Sequence, residues 1–150
     1  MSAADDARRA YDMKTKPRGS LGRLEDLGCR IAEIRGFVPE RLEKVIVVAA
    51  GDHGVADEGV SAYPREVTAQ MVANFAAGGA AINVLARRAA ARLHIVDCGV
   101  GSPTNNMTKG PAMTAMEVER EFAAADELVG GLDVDVVALG EMGIANTTSA

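Results

Sequence analysis

Three glycine-bounded segments hold the side chains best suited to chemistry. The longest, Gly51-Asp52-His53-Gly54-Val55-Ala56-Asp57-Glu58-Gly59-Val60-Ser61-Ala62-Tyr63-Pro64, gathers one imidazole and three carboxylates. Asp52, His53, Asp57 and Glu58 are metal-ligand types, yet no second imidazole lies nearby and no helical two-histidine spacing occurs, so no metal is expected. Taken alone, Asp52 and His53 read best as polar turn residues that satisfy backbone groups. A second segment, Gly99-Val100-Gly101-Ser102-Pro103, starts like a dinucleotide fingerprint and then departs from it. Its third glycine is missing and Pro103 stands where a helix should open, so no cofactor is expected. The third, Gly140-Glu141-Met142-Gly143-Ile144-Ala145-Asn146-Thr147-Thr148, reads as a glycine turn running into a helix N-terminus capped by Asn or Thr. Free backbone N–H groups at such a terminus suit a phosphate. Glu141 would repel that phosphate, and its natural place is near a sugar hydroxyl or a cationic ring. An ordinary capped helix with a solvated glutamate is the plain alternative.

Each segment follows a short Val-rich run: Val45-Ile46-Val47-Val48-Ala49-Ala50, Leu93-His94-Ile95-Val96-Asp97 and Val134-Asp135-Val136-Val137-Ala138-Leu139. Runs that are apolar on both faces are expected of strands buried inside a parallel sheet. His94, inside one of them, is read as a core histidine without a chemical role. Between the strands, Val67, Met71 and Phe75 predict a helix that Gly78-Gly79 breaks before Ala80 to Ala90 resumes it. Another helix is predicted from Met116 to Leu128 with Val118, Phe122 and Ala125 inward. Strand alternating with helix predicts an α/β fold, an open, mostly parallel, Rossmann-like sheet with ligands at the C-terminal edges of its strands.

Ahead of this lies a helical region, residues 1–43. Ala3, Ala7, Ala10 and Tyr11 mark one helix, Lys14 to Ser20 a basic loop, and Leu21, Leu24, Leu27, Ile31 and Ile34 the apolar stripe of a second helix capped by Gly36. Residues 44–150 form the α/β part. The sequence ends just after Asn146-Thr147-Thr148, so the helix that would cover the third strand is expected to be cut off and the α/β domain to be incomplete at its C-terminal end.

A net charge of −5 over 150 residues lacks the Lys and Arg clusters that displace counterions from nucleic acid, which excludes that class of partner. Cys29 and Cys98 offer neither a zinc spacing nor a disulfide framework. The N-terminus has no signal-peptide pattern and no apolar run approaches the ~18 residues of a membrane span, so a soluble, cytoplasmic protein is expected.

Several motifs in order carry a resemblance: Lys16-Pro17-Arg18-Gly19-Ser20-Leu21-Gly22-Arg23-Leu24-Glu25, the loop from Gly51 through Pro64, Val67-Thr68-Ala69-Gln70-Met71, Gly78-Gly79-Ala80-Ala81-Ile82, Pro111-Ala112-Met113-Thr114 and Gly140 through Thr148. Together they resemble the nicotinate-nucleotide:dimethylbenzimidazole phosphoribosyltransferases over nearly the whole chain, but over less than half of a typical family member. The resemblance implies a homodimer with a large α/β domain and a small helical domain, the N-terminal helices belonging to the latter. It implies transfer of phosphoribosyl from nicotinate mononucleotide to 5,6-dimethylbenzimidazole, giving α-ribazole phosphate and nicotinate in cobalamin lower-ligand synthesis. The pyridinium leaves as a neutral base, whereas the benzimidazole must lose its N–H proton, so a carboxylate base is needed.

In the family that base is a glutamate of the C-terminal half, with no counterpart here, so no catalytic residue is assigned. By motif position Ser61, Tyr63 and Gln70 resemble the benzimidazole pocket. Gly143, with Asn146 and Thr147, resembles the nucleotide phosphate site. Glu141 resembles a second active-site carboxylate and is a candidate substitute base, while Asp52 and His53 belong to a loop near the site. The connection from Gly99 to Pro111 is shorter than the family's. The 150-residue chain alone is expected to be inactive. A module that binds a base or nucleotide without reacting it, and a non-functional fragment, are the alternatives.

Overall fold

The computed structural model describes residues 2–150. The chain forms two compact units, one ending at Leu42 and the other spanning Glu43–Ala150.

In the first unit, Ser2 starts helix α1 (Ala3–Asp12) through a reciprocal capping box. The Ser2 hydroxyl accepts from Asp5 N–H (3.2 Å), and the Asp5 carboxylate accepts from Ser2 N–H (2.9 Å), pairing two donors that a helix leaves free at its start. Helix α2 (Arg23–Arg35) ends at Gly36, left-handed at φ 74° as expected. Where the two helices pack, Ala7, Cys29 and Ala32 are buried, with Ala3, Ala4 and Tyr11 around them. The leucine stripe is not the inward face. Leu24, Leu27 and Ile34 are 63%, 56% and 70% exposed, whereas Glu25, Cys29 and Ala32 point inward. The face of α1 is built of alanines, and it receives small residues at close range; periodicity counts apolar positions without knowing which side of a helix has a partner.

Burial of Glu25 is made tolerable by its donors. Lys16 Nζ lies 2.8 Å from the carboxylate, Leu21 N–H donates at 3.2 Å, and the Arg8 guanidinium stands 3.9 Å away. The Lys16 hydrogen bond, then that of Leu21, holds the Glu25 carboxyl below the usual carboxylate range against the cost of burial. A carboxyl whose folded value is depressed stabilises the fold fully above its unfolded value and loses that contribution as pH falls through the folded one. We therefore expect the melting temperature of the chain to fall on acidification below about pH 4.5, and Glu25→Gln to lower it at pH 7 while flattening the acid limb. Thermal unfolding of both proteins from pH 7 to 3 checks this; parallel acid limbs would remove Glu25 from the account.

In the second unit, strands β1 (Lys44–Ala50), β2 (Arg92–Asp97) and β3 (Val136–Met142) form a parallel sheet in the order β2-β1-β3. The third strand begins two residues later than its Val-rich run. Asp135 and Val136 N–H both donate to Glu43 O, and Glu43 N–H donates to the Asp135 carboxylate at 2.8 Å, so the entry to the strand is used as a clasp. Helices α3 (Val67–Ala77) and α4 (Ala81–Ala89) cover one face. There Val48, Phe75 and Ala80 are buried among Ile46, Met71, Leu93, Ile95 and Met142. Residues 67–89 have the length and composition of a membrane-crossing helix, 23 residues at mean hydropathy 1.3. The left-handed Gly78 (φ 76°) and the extended Ala80 divide them into helices of 11 and 9 residues, shorter than the ~20 that a bilayer requires.

Only β1 is a buried strand. Register places His94, Val47 and Leu139 in one row on the face away from α3 and α4. There His94 is exposed, not a core residue, and Leu139 is 82% exposed. Helix α5 (Ala115–Gly130) starts from a capping box at Thr114 and buries none of its residues. Val118 and Phe122, expected inward, are 37% and 69% exposed, and Ala125 is exposed as well. Both outer strands are edges, which their composition does not reveal, because the apolar content of a strand reports how it can be packed and not whether a neighbour is present.

Since β1 leads to β2 on one side and the chain returns to β3 on the other, the direction of winding reverses at β1. The crevice at the carboxyl ends of β1 and β3 is thus the place where such sheets bind ligands.

Candidate functional site

At the end of β1 the chain enters Gly51-Asp52-His53, and at the end of β3 it enters Gly143-Ile144-Ala145-Asn146; the two stretches meet. Gly51 N–H donates to Met142 O at 3.0 Å, carrying the ladder beyond the strands. A side-chain carbon at Gly143 would stand 2.5 Å from Gly51 O and 3.2 Å from His53 Nε2, so this crossing requires glycine on steric grounds. His53 bridges onward: Nε2 lies 2.8 Å from Asn146 Oδ1, and Nδ1 lies 3.1 Å from Ser149 Oγ. Ala145 sits between the strand end and Asn146 in the left-handed region at φ 70°, a conformation that costs a non-glycine residue about 1 kcal/mol.

Behind this crossing the fully buried Thr68 accepts, through Oγ1, the N–H of buried Ile144 at 3.1 Å. Thr68→Val keeps the shape and leaves that N–H unpaired, which costs ~1–3 kcal/mol. We expect urea unfolding to show this loss, and Thr68→Ser to recover most of it. Equal stabilities for the two variants would contradict the assignment.

The third wall comes from β2. Asp97 Oδ1 accepts the N–H groups of Gly99 and Val100 (2.9 and 2.8 Å), shaping the turn. Asp52, 5% exposed, accepts Gly101 N–H through Oδ2 at 2.7 Å, while its Oδ1 is buried without a partner. Thr104 N–H donates to Asp52 O (3.1 Å), and Gly54 N–H donates to Thr104 Oγ1 (3.3 Å). Further out, Glu58 accepts from Asn106 Nδ2 at 2.6 Å and pairs with Lys109, and these two hold its carboxyl below the usual range. Asp57 forms an ion pair with Arg65. The 99–110 connection is therefore tied to the first loop at several points.

These walls enclose a cleft of about 920 Å3 whose lining includes Asp52, His53, Cys98, Phe122, Glu141 and Asn146. Partial burial, then the Glu121 and Asp97 carboxylates, pushes the Cys98 thiol up, away from the thiolate that a nucleophilic cysteine requires. Among the described residues no three His, Cys, Asp or Glu side chains converge as a metal cluster.

Of the residues singled out from sequence, Asp52, His53, Glu141 and Asn146 come together in this cleft, and Gly143 lies at the strand crossing beside it. Thr147 is exposed and outside the lining. Ser61, Tyr63 and Gln70 also stand outside it; Tyr63 is 67% exposed, and Ser61 Oγ accepts Tyr63 N–H at 3.2 Å. The expected cap by Asn146 or Thr147 is not formed. The short helix α6 (Asn146–Ser149) begins one residue earlier than a cap by Asn146 requires, so Ala145, which has no side-chain acceptor, holds the N-cap position, and the Asn146 carbonyl is engaged by His53. Thr68, Thr104 and Cys98 were missed, and nothing in local spacing points to them: their partners lie up to 76 residues away.

An open parallel sheet with its cleft at the point where the winding reverses defines the class, an α/β protein with a cleft at the strand ends, where such sheets bind ligands. The chain belongs to the phosphoribosyltransferase family, whose profile matches residues 1–150. It is 48% identical to the nicotinate-nucleotide--dimethylbenzimidazole phosphoribosyltransferase of Chloroflexus aggregans over 168 aligned positions, covering 99% of this chain and 47% of that protein. The protein of the same name from Mesorhizobium japonicum is 47% identical over 150 positions, covering 99% and 44%. The relatives thus differ among themselves in how much chain they insert. The crystal structure of the corresponding Thermus thermophilus protein superposes with a TM-score of 0.83 at 42% identity, covering 98% of this chain and 50% of that one. The chain spans about half the length of the curated relatives it matches.

Proposed function

We propose that this chain supplies the cleft of an enzyme that transfers phosphoribosyl from nicotinate mononucleotide to 5,6-dimethylbenzimidazole, yielding α-ribazole phosphate and nicotinate in cobalamin lower-ligand synthesis. The supporting observation is the convergence of Asp52, His53, Glu141 and Asn146 at the β1 and β3 ends in a member of the phosphoribosyltransferase family. In the reaction the C1′–N bond to the pyridinium breaks, the benzimidazole nitrogen forms the new bond, and its proton passes to a carboxylate. Glu141, on the cleft wall, faces the cationic ring or the ribose, and Gly143, Asn146 and Thr147 serve the nucleotide end. Ser61, Tyr63 and Gln70 contribute to the benzimidazole pocket once the rest of its wall is present. The general base is the family's C-terminal glutamate, which no residue of this chain replaces efficiently. The working enzyme is a cytoplasmic homodimer.

The test is chromatography of α-ribazole phosphate made from the two substrates. We expect negligible product from the 150 residues alone, and turnover when they replace the corresponding half of the Thermus thermophilus protein. Full turnover by the 150 residues alone would refute the placement of the base, and an inactive chimera beside an active Thermus enzyme would refute the reaction.

A further inference from the structure

We propose that His53 is a positioning residue that holds the Asn146 amide with its Oδ1 turned inward and its Nδ2 hydrogens offered to an oxygen of the bound nucleotide. For the ligand this rests on the functional reading above; for the geometry it rests on the His53 bridge. Asn146 Oδ1 stands 2.8 Å from Nε2 and an amide oxygen only accepts, so in this orientation of the amide the inferred tautomer carries its proton on Nε2. Nδ1 is then a lone-pair acceptor, and it receives the Ser149 hydroxyl at 3.1 Å. The three side chains form one directed chain, from Ser149 O–H through the imidazole to the Asn146 carbonyl. Reversing one member would set two donors or two acceptors face to face.

Two features of the backbone stand beside this bridge. Gly143 leaves room for the ring, since an added carbon there would stand 3.2 and 3.3 Å from His53 Nε2 and Cδ2. Ala145 takes the left-handed conformation immediately before Asn146, and strain kept beside a cleft marks a residue whose direction is fixed by its surroundings. Asn146 itself lines the cleft. With Oδ1 committed to His53, the Nδ2 hydrogens are what Asn146 can present, and they suit a phosphate or hydroxyl oxygen.

Two measurements on the 150-residue chain decide the matter. Nitrogen-15 NMR of the imidazole at neutral pH should show His53 with the proton on Nε2 and a pyridine-type Nδ1. Titration with nicotinate mononucleotide should shift the Asn146 side-chain amide. His53→Ala should weaken nucleotide binding about tenfold, and His53→Gln, whose amide N–H can replace Nε2–H, should recover most of it. Asn146→Asp keeps the acceptor for His53 but removes the donors and adds a charge, so it should retain the melting temperature and lose the binding; the loss that persists with phosphate-free nicotinate riboside is the part due to the lost donors. Nicotinate riboside, which lacks the phosphate, tells whether the donor meets phosphate or ribose.

A proton on Nδ1 would overturn the inference alone and leave the functional reading standing. Nucleotide binding that is unchanged in both His53→Ala and Asn146→Asp would overturn it as well. Absence of nucleotide binding by the wild-type chain would overturn the ligand half of the inference, while turnover by the chimera decides the functional reading separately.

Discussion

Gly54→Ala should lower the stability of the chain by about 3 kcal/mol or more, at the upper end of what overpacking costs, and its melting temperature by roughly 10 °C. Gly54 follows His53 at the start of a 3-10 turn (Gly54–Glu58) and is buried. A methyl group there would run into Thr104 O and stand 2.7 Å from both Asn105 C and Asn106 N. The opposing atoms are backbone, and they cannot retreat freely. Thr104 N–H is bonded to Asp52 O and Asn105 N–H to Ala112 O, so moving the 104–106 segment breaks the ties that close the cleft on this side. Two other glycines serve as controls. Gly59 has open space around it but φ 70°, so Gly59→Ala should cost only the ~1 kcal/mol of a left-handed alanine. Gly110 has neither a near neighbour nor a positive φ, and its alanine variant should be nearly neutral. Differential scanning calorimetry of the three variants gives the ranking, and a Gly54→Ala protein melting within about 2 °C of wild type would mean that the two loops do not cross as closely as described.

Gly143→Ala should have its largest effect on binding. The added methyl meets Gly51 O at 2.5 Å and the His53 ring at 3.2 Å. Relief of the backbone contact must come from parting the β1 and β3 ends, and the imidazole must also turn away from the new methyl and so from Asn146. Parting the strand ends strains the bonds that hold them, Gly51 N–H to Met142 O and Ile144 N–H to Thr68 Oγ1, so stability and the His53 bridge are both affected. We expect nicotinate mononucleotide binding to weaken more than about tenfold, with a stability loss of ~1–3 kcal/mol. Gly140→Ala is the matched comparison on the same strand, since its methyl would meet Val48 Cγ2 at an ordinary 3.4 Å. Isothermal titration calorimetry on the two variants separates them; equal affinities would show that the crossing at Gly143 does not govern the cleft.

Sequence reasoning succeeded where the decisive interactions are local or where one element is packed on both sides. β1 is such an element, and so is the break at Gly78, which the chain's own backbone conformation enforces. The alternation of strand and helix, and with it the location of the cleft, followed from these. The same reasoning failed where identity of the partner matters. The leucines of α2 and the apolar residues of α5 have helical spacing, yet nothing in the spacing says which face is covered. Asn146 looked like a helix cap because capping is a property of neighbours in sequence; its carbonyl is instead taken by His53, 93 positions away. Thr68 gave no signal, since a threonine in an apolar helix becomes informative only when Ile144 is brought to it.

The outer edge of β3 has a practical consequence. Its backbone edge has no neighbouring strand among the described residues, and Val137 and Leu139 sit on one face at 37% and 82% exposure. Such an edge is a template for adding another strand from a second molecule. The 150-residue protein should therefore be hard to concentrate, gaining turbidity and amyloid-dye fluorescence with time, and Leu139→Lys should suppress both.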